Sequence, residues 1–193
     1  NDEQHRQVSM IEASGKHLLA LVTDVLELSK IKAGKEELDL EVVSVAEIVS
    51  FVGDVLSPQV AEKGLTWSSS VADNLEIITD RRLVERVLLN LAGNAVKFTV
   101  NGGVSVSAKK HAGEIVIAVR DSGPGIEYGF KREIMREFRQ LYRPGSVKPD
   151  GTGLGLALCE KTAKLLGGSI EVDSTPGDGS TFALVLPATS AVS

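Results

Sequence analysis

Residues 80–99 read DRRLVERVLLNLAGNAVKFT. Asp80 is a residue type that caps helix starts, and no Pro or paired Gly interrupts the run before Thr99. At ~100° per residue, Asn90, Asn94 and Lys97 fall within roughly 60° of one another on the helical wheel. Val84, Val87, Leu88, Leu91, Ala95 and Phe98 form an apolar stripe centred roughly 110° away. The spacing therefore predicts a helix that buries one face and presents two carboxamides and an ammonium beside it. Asparagine is a poor helix former usually spent at caps and turns, so two in mid-helix point to a site. Neutral amide oxygens suit a hard divalent cation such as Mg²⁺, and a lysine supplies a point charge for phosphate.

Working outward, residues 1–34 read as one long helix ending at Gly34. Its seam is Ile11, Ser14, Leu18, Leu21, Val25 and Leu28, spaced by threes and fours. That seam fits either a helix lying on its own domain or half of a hairpin or bundle whose partner is outside this chain. Leu38, Leu40 and Val42 then alternate as a strand, and Ser44 with Glu47 has the spacing of a capping box opening a helix that ends near Gly64. Strands are expected at 65–71 and 75–78 before the 80–99 helix, with a hairpin at 104–109 and 114–120 turning around Ala112-Gly113. Residues 121–151 are rich in Gly and Pro, with a short helix expected over Lys131–Leu141 inside a loop long enough to suggest function. A helix over 154–166 and strands at 169–174 and 181–186 complete the pattern. Strands and helices are interleaved without strict alternation, which favours an α+β fold.

Composition narrows the function classes. The chain has 193 residues, 42% apolar and 24% charged, with 26 acids against 21 bases. A net charge of −5 argues against a nucleic-acid module driven by phosphate contacts. A single cysteine, Cys159, makes no internal disulfide and no Cys-rich zinc site. No apolar run approaches the ~18–20 residues of a membrane span, and no signal peptide opens the sequence. The expectation is a soluble chain in a reducing compartment.

Three glycine-rich segments flank the later elements: Asp121-Ser122-Gly123-Pro124-Gly125-Ile126 directly off a strand, Gly151-Thr152-Gly153-Leu154-Gly155-Leu156 opening a helix, and Gly177-Asp178-Gly179-Ser180-Thr181-Phe182 leading into the last strand. Glycine at a helix start lets backbone N–H groups approach an anion, and an acid at a strand end can accept from an exocyclic amine. Two familiar nucleotide motifs are excluded. Gly151, Gly153 and Gly155 follow a polar loop and lack the dinucleotide spacing, while Gly15-Lys16 and Gly34-Lys35 are followed by His17 and Glu36 rather than the hydroxyl of a phosphate loop.

Taken in order, these segments resemble the catalytic ATP-binding domain of sensor histidine kinases, in the wider ATPase superfamily that includes MutL and gyrase B. Asn90 to Thr99 is similar to the family's asparagine box, Asp121 to Ile126 to its first glycine box, and Glu137-Phe138-Arg139-Gln140 to its phenylalanine box. Gly151 to Leu156 and Gly177 to Phe182 match the remaining glycine boxes, and Leu18 to Gly34 resembles the second helix of the family's dimerisation hairpin. The resemblance implies a two-layer α/β sandwich of the Bergerat type, a mixed sheet covered on one face by helices, preceded by a long N-terminal helix. It implies a hairpin helix over 1–34, a catalytic domain over 35–187 and a frayed tail over 188–193.

On the residues, the resemblance implies ATP with Mg²⁺. Asp121 would take the adenine amine, Asn94 would coordinate the metal, and Asn90 and Lys97 would contact phosphates as the catalytic pair. Gly123, Gly125, Ile126, Gly153, Leu154 and Gly155 would hold the nucleotide through the backbone, and Thr181 would sit near adenine. Arg139 and Arg143 would reach the phosphates from a lid. ATPases of the superfamily that activate water carry Glu where this chain has Asn90, so slow hydrolysis and transfer to a protein histidine are implied. His5, His17 and His111 do not sit in the family's acceptor pattern, so the acceptor is expected on the absent first helix. Implied partners are ATP or ADP, a response-regulator receiver domain, and the missing helix or a second protomer. Neither nucleic acid nor direct membrane contact of this fragment is expected, and the expected location is the cytoplasm, either free or as the cytoplasmic part of a membrane-anchored sensor. A nucleotide-gated interaction module without turnover stays open as the alternative.

Overall fold

The computed structural model describes residues 2–130, 133–138 and 152–188. Its elements in chain order are α1 (Asp2–Lys32), β1 (Glu41–Ser44), α2 (Val45–Glu62), β2 (Thr66–Val71), β3 (Glu76–Thr79), α3 (Arg81–Phe98), β4 (Gly103–His111), β5 (Glu114–Asp121), a 3₁₀ turn at Tyr128–Phe130, α4 (Gly155–Leu165), β6 (Ser169–Thr175) and β7 (Gly179–Pro187).

Five strands form a mixed sheet in the order β2-β4-β5-β7-β6, in which only β2 and β4 run parallel. Strand alternation sorts the residues by face. Val104, Val106, Ile115, Ile117, Val119, Phe182, Leu184 and Leu186 are buried against α2, α3 and α4, while Ser107, Lys109 and Arg120 on the other face are exposed. The result is the expected α+β sandwich of two layers. A separate antiparallel pair, β1 with β3, closes the end of the core where Val43 lies opposite Ile77. Ala112 and Gly113 both take positive φ, 50° and 85°, which suits the tight turn between β4 and β5.

Several local expectations are corrected. The first strand begins three residues later than the Leu38–Val42 alternation suggested, and in the opposite phase. Val43 is buried while Leu40 and Val42 are exposed, because pairing with β3 turns Val43 inward. Ser44 flanks α2 but its side chain forms no capping bond, and Glu47 pairs with Arg81 at 3.2 Å instead of closing a box. Phe98 is 46% exposed: it is the last residue of α3, and the inward position there is taken by Val96 and by buried Thr99. Within Lys131–Leu141, residues 133–138 form turns rather than a helix, and the remainder lies outside the described residues.

Helix α1 divides between the two arrangements its seam allowed. Its C-terminal part docks on the domain, with Leu21, Leu28 and Ile31 packed against Leu154 and Leu158. Ile11 and Leu18 further up the seam stay exposed.

Candidate functional site

Helix α3 is held at both ends. Asp80, 1% exposed, accepts from the Leu83 N–H at 3.2 Å as the N-cap and also from the Asp39 N–H at 3.1 Å. Arg82 donates to the same carboxylate at 2.9 Å. Burial works against the ionised form, and these bonds together hold the Asp80 carboxyl below its ordinary value. At the other end, the Lys63 ammonium donates to the carbonyls of Val96 and Lys97 at 2.8 and 2.6 Å, satisfying groups that the helix itself leaves orphaned.

Between these anchors, Asn90 and Asn94 are half-buried and linked. Asn94 Nδ2 donates to Asn90 Oδ1 at 3.0 Å, so the bond between them does not use the acceptor Asn94 Oδ1. The glycine segment that opens α4 closes on the same side chains: a Cβ at Gly155 would stand 2.4 Å from Asn90 Nδ2. The polar stripe of α3 and the start of α4 therefore meet. Lys97 is exposed one turn on, with its ammonium 5.2 Å from the Phe98 ring centroid. The neighbouring loop is stitched from inside: the Phe138 N–H donates to Gly153 O at 2.9 Å, and Leu154 N–H to Thr152 Oγ1 at 3.1 Å. Leu154 keeps its backbone at the loop but turns its side chain into the contact with α1.

Asp121 ends β5, the central strand of the sheet, and is 7% exposed. Its Oδ1 accepts from the N–H groups of Gly123 at 2.8 Å and Ser180 at 3.3 Å. Among the described residues its second carboxylate oxygen takes no hydrogen bond. Burial pushes its pKa above the ordinary carboxyl value, outweighing the two N–H bonds that pull the other way. The turn after it is pressed onto the β6–β7 connection. Gly125 has φ +64°, and a Cβ there would lie 2.0 Å from Thr175 O, so only glycine fits. Ile126 N–H donates to Ser174 Oγ at 2.9 Å.

The expectation for Thr181 is corrected by register. Thr181 lies opposite Arg120 and Asp173, which puts its side chain on the sheet face away from Asp121. Ser180 is the residue paired with Asp121, and its side chain shares the face of Asp121. Sequence reading missed it, because which residues of β7 share the face of Asp121 is decided by the pairing register of β5 with β7, which has no local signal. Arg139, Arg143 and Gly151 lie outside the described residues.

The donors present fit a magnesium–nucleotide complex better than a protein-only metal site. No group of three or more His, Cys, Asp or Glu converges among the described residues. A single amide oxygen suits Mg²⁺, which keeps several waters and takes phosphate oxygens as its other ligands. A groove of about 470 Å³ between α2 and β2, lined by Asp54 and Trp67 among others, contains none of these residues.

Residues 79–190 match the family described as histidine kinase-, DNA gyrase B-, and HSP90-like ATPase. The sensor-like histidine kinase R01002 of Rhizobium meliloti (strain 1021) is 39% identical over 189 residues, which is 97% of this chain and 36% of that protein. The cell-division control histidine kinase PdhS of Brucella suis is 34% identical over 200 residues, covering 98% of this chain and 19% of that protein. The chain thus spans about a third or less of the length of these relatives. Among solved structures, full-length ShkA in complex with AMPPNP superposes with a TM-score of 0.85 at 34% identity, covering 99% of this chain and 40% of that one. The histidine kinase ThkA in complex with the response regulator TrrA shares the fold, with a TM-score of 0.76 at 21% identity over 95% of this chain and 51% of that one. With its mixed sheet, its asparagine-bearing helix and its glycine turns, this chain belongs to the histidine kinase-, DNA gyrase B- and HSP90-like ATPase family.

Proposed function

We propose that this chain is the ATP-loading part of a sensor histidine kinase, binding ATP with Mg²⁺ and presenting the γ-phosphoryl group to a histidine outside the chain. The observation that carries this reading is the pairing of two half-sites: Asp121 with one carboxylate oxygen pinned by two N–H groups, and Asn90, Asn94 and Gly155 in contact. Asp121 would accept from the exocyclic amine of adenine. Asn94 Oδ1 would hold the metal, whose contribution is to neutralise the phosphates. Asn90 and Lys97 would orient and balance the remaining charge, and the backbone at Gly123, Gly125, Ile126, Gly153 and Leu154 would line the nucleotide. Phosphoryl transfer needs alignment and charge stabilisation more than covalent help, and this set supplies both. Asn90 is a carboxamide and so cannot serve as a general base for water, which favours a protein nucleophile over hydrolysis.

In this reading residues 1–34 are the second helix of a dimerisation hairpin and 35–187 the catalytic domain. This part of the protein would act in the cytoplasm, and the whole protein would dimerise through the hairpin and pass the phosphoryl group to a receiver domain, as a kinase–regulator pair such as ThkA with TrrA suggests. No described helix is long and apolar enough to cross a membrane. A second reading, an interaction module gated by nucleotide without turnover, draws support from α1 touching the glycine loop, where Thr152 Oγ1 donates to Asp24 Oδ2 at 2.9 Å.

Titration calorimetry with ATP, ADP and GTP, with and without Mg²⁺, tests the nucleotide site. Adenine nucleotides should bind, GTP should bind more weakly, and Asn94→Ala should weaken ATP binding by roughly 10–100-fold in Mg²⁺, as loss of a charge-assisted contact does. Absence of adenine nucleotide binding would overturn the reading. Phosphorylation of the full-length protein separates the two functions. An acid-labile phosphohistidine outside residues 1–193 is expected; binding without any transfer would leave the interaction module standing.

A further inference from the structure

Ser174 is buried in β6, and its hydroxyl meets three partners at once. The Ile126 N–H donates to Ser174 Oγ at 2.9 Å, Gly179 O lies 2.9 Å away as an acceptor, and Ser180 Oγ lies 2.9 Å away. A hydroxyl has one proton and two lone pairs. The amide N–H occupies one lone pair. Gly179 O has no proton to give, so it must take the Ser174 proton. The second lone pair is then filled only if Ser180 donates its own. This is the one assignment that satisfies all three contacts, and both serines are buried, where leaving a group unpaired is costly.

The consequence falls on the corner where Ser180 sits beside Asp121. With its proton directed at Ser174, Ser180 Oγ offers only lone pairs to that corner, and the Asp121 carboxylate is likewise an acceptor. We infer that Ser174 is a specificity-determining positioning residue, which locks Ser180 as an acceptor and so leaves the base-reading corner without a side-chain donor for a 6-oxo purine. A 6-amino purine brings N–H groups that such a corner accepts. A 6-oxo purine brings a lone pair facing lone pairs. The same hydroxyl ties the first glycine turn, through Ile126, to the β6–β7 connection, so base reading and loop position share one atom. The inference rests on the reading of Asp121 as the group that takes the purine amine.

The test is the ratio of GTP to ATP dissociation constants, measured in Mg²⁺ on the whole chain. In Ser174→Ala the Ser180 proton is released to turn toward the corner, and the ratio should narrow by roughly 3–10-fold, the worth of one neutral hydrogen bond. Ser174→Cys fills the same space with a poor acceptor and should narrow it as well, while Ser174→Thr keeps the hydroxyl and should preserve it. In a Ser180→Ala background, changing Ser174 to Ala should leave the ratio unmoved. Equal weakening of both nucleotides by Ser174→Ala and Ser174→Cys would mean a purely structural role and overturns the inference. Asp121→Asn separates the two layers of argument. If it abolishes a wild-type adenine preference while both Ser174 variants keep the wild-type ratio, the inference fails alone; a wild-type chain with no preference sinks both.

Discussion

Asp121 is the residue whose chemistry and stability pull against each other. Its carboxyl is buried, and burial raises its pKa despite two donated N–H groups. The folded protein therefore holds this proton more tightly than the unfolded chain. The stabilisation it gives is present at low pH and is lost as pH rises through the raised folded value; at neutral pH the ionised group is a net cost to folding. An amide in its place keeps an oxygen for the Gly123 and Ser180 N–H groups but removes the charge. Asp121→Asn should thus melt at or above the wild-type temperature at pH 7 without ligand, with the gap closing as pH falls toward the ordinary 3.8, while its preference for adenine nucleotides is lost. Thermal scans across that range beside calorimetry at pH 7 check both halves. A lower melting temperature for the variant at pH 7 would show that the charge is welcome where it lies. The position of Asp121 was legible from a strand ending in an acid before a glycine turn. That of Ser180 was not, because it depends on register between strands 59 residues apart in sequence.

At the level of elements, α3 is the clearest case of sequence and structure agreeing, since its N-cap, its buried stripe and its asparagine face follow from local spacing. What sequence could not show is how the helix is fixed. Lys63 comes from the C-terminus of α2, so its grip on the carbonyls of Val96 and Lys97 is a tertiary event with no local signature. The misplaced phase of β1 has the same origin: Leu38, Leu40 and Val42 alternate well, but pairing with β3 decides which face is inward. Ser44 and Glu47 had the box spacing too, and lost it because Arg81 offers Glu47 a charged partner. Two substitutions measure the ends of α3 separately. Asp80→Ala removes the cap and leaves the Asp39 and Leu83 N–H groups without that acceptor, and should cost about 1–2 kcal/mol. Lys63→Met keeps most of the stem and removes the ammonium, and should cost about 1 kcal/mol. For a chain of this size each kcal/mol is worth about 2–4 °C of melting temperature. Lys63→Met should also weaken nucleotide binding, because the last turn of α3 carries Lys97; an unchanged affinity alongside a lowered melting point would confine Lys63 to stability.

Over the whole molecule, the junction of α1 with the domain joins parts that sequence left separate. Its apolar centre is small: Leu21, Leu28 and Ile31 against Leu154 and Leu158. Around it run polar contacts to three different elements of the site. Glu27 forms an ion pair with Arg86, one turn before Asn90 on α3; Asp24 accepts from Thr152 beside the glycine loop; and Lys32 meets Glu137 at 2.8 Å, with Lys161 3.6 Å away. The lysines hold the partly exposed Glu137 carboxyl below its ordinary value, the Lys32 hydrogen bond being the largest influence. Partly exposed pairs of this kind are screened by salt and contribute little singly, so the seat should be held by their sum around a modest apolar contact. Raising ionic strength from about 0.05 to 0.5 M shortens the screening length from roughly 14 to 4 Å. Hydrogen exchange of α1 amides from Leu21 to Ile31 should then quicken several-fold, while amides of β5 and β7 in the sheet interior keep their rates. Glu27→Lys, which faces Arg86 with a like charge, should give the same pattern at low salt. If exchange in α1 is indifferent to both salt and Glu27→Lys, the apolar patch alone holds the helix and the charged ring around it is incidental.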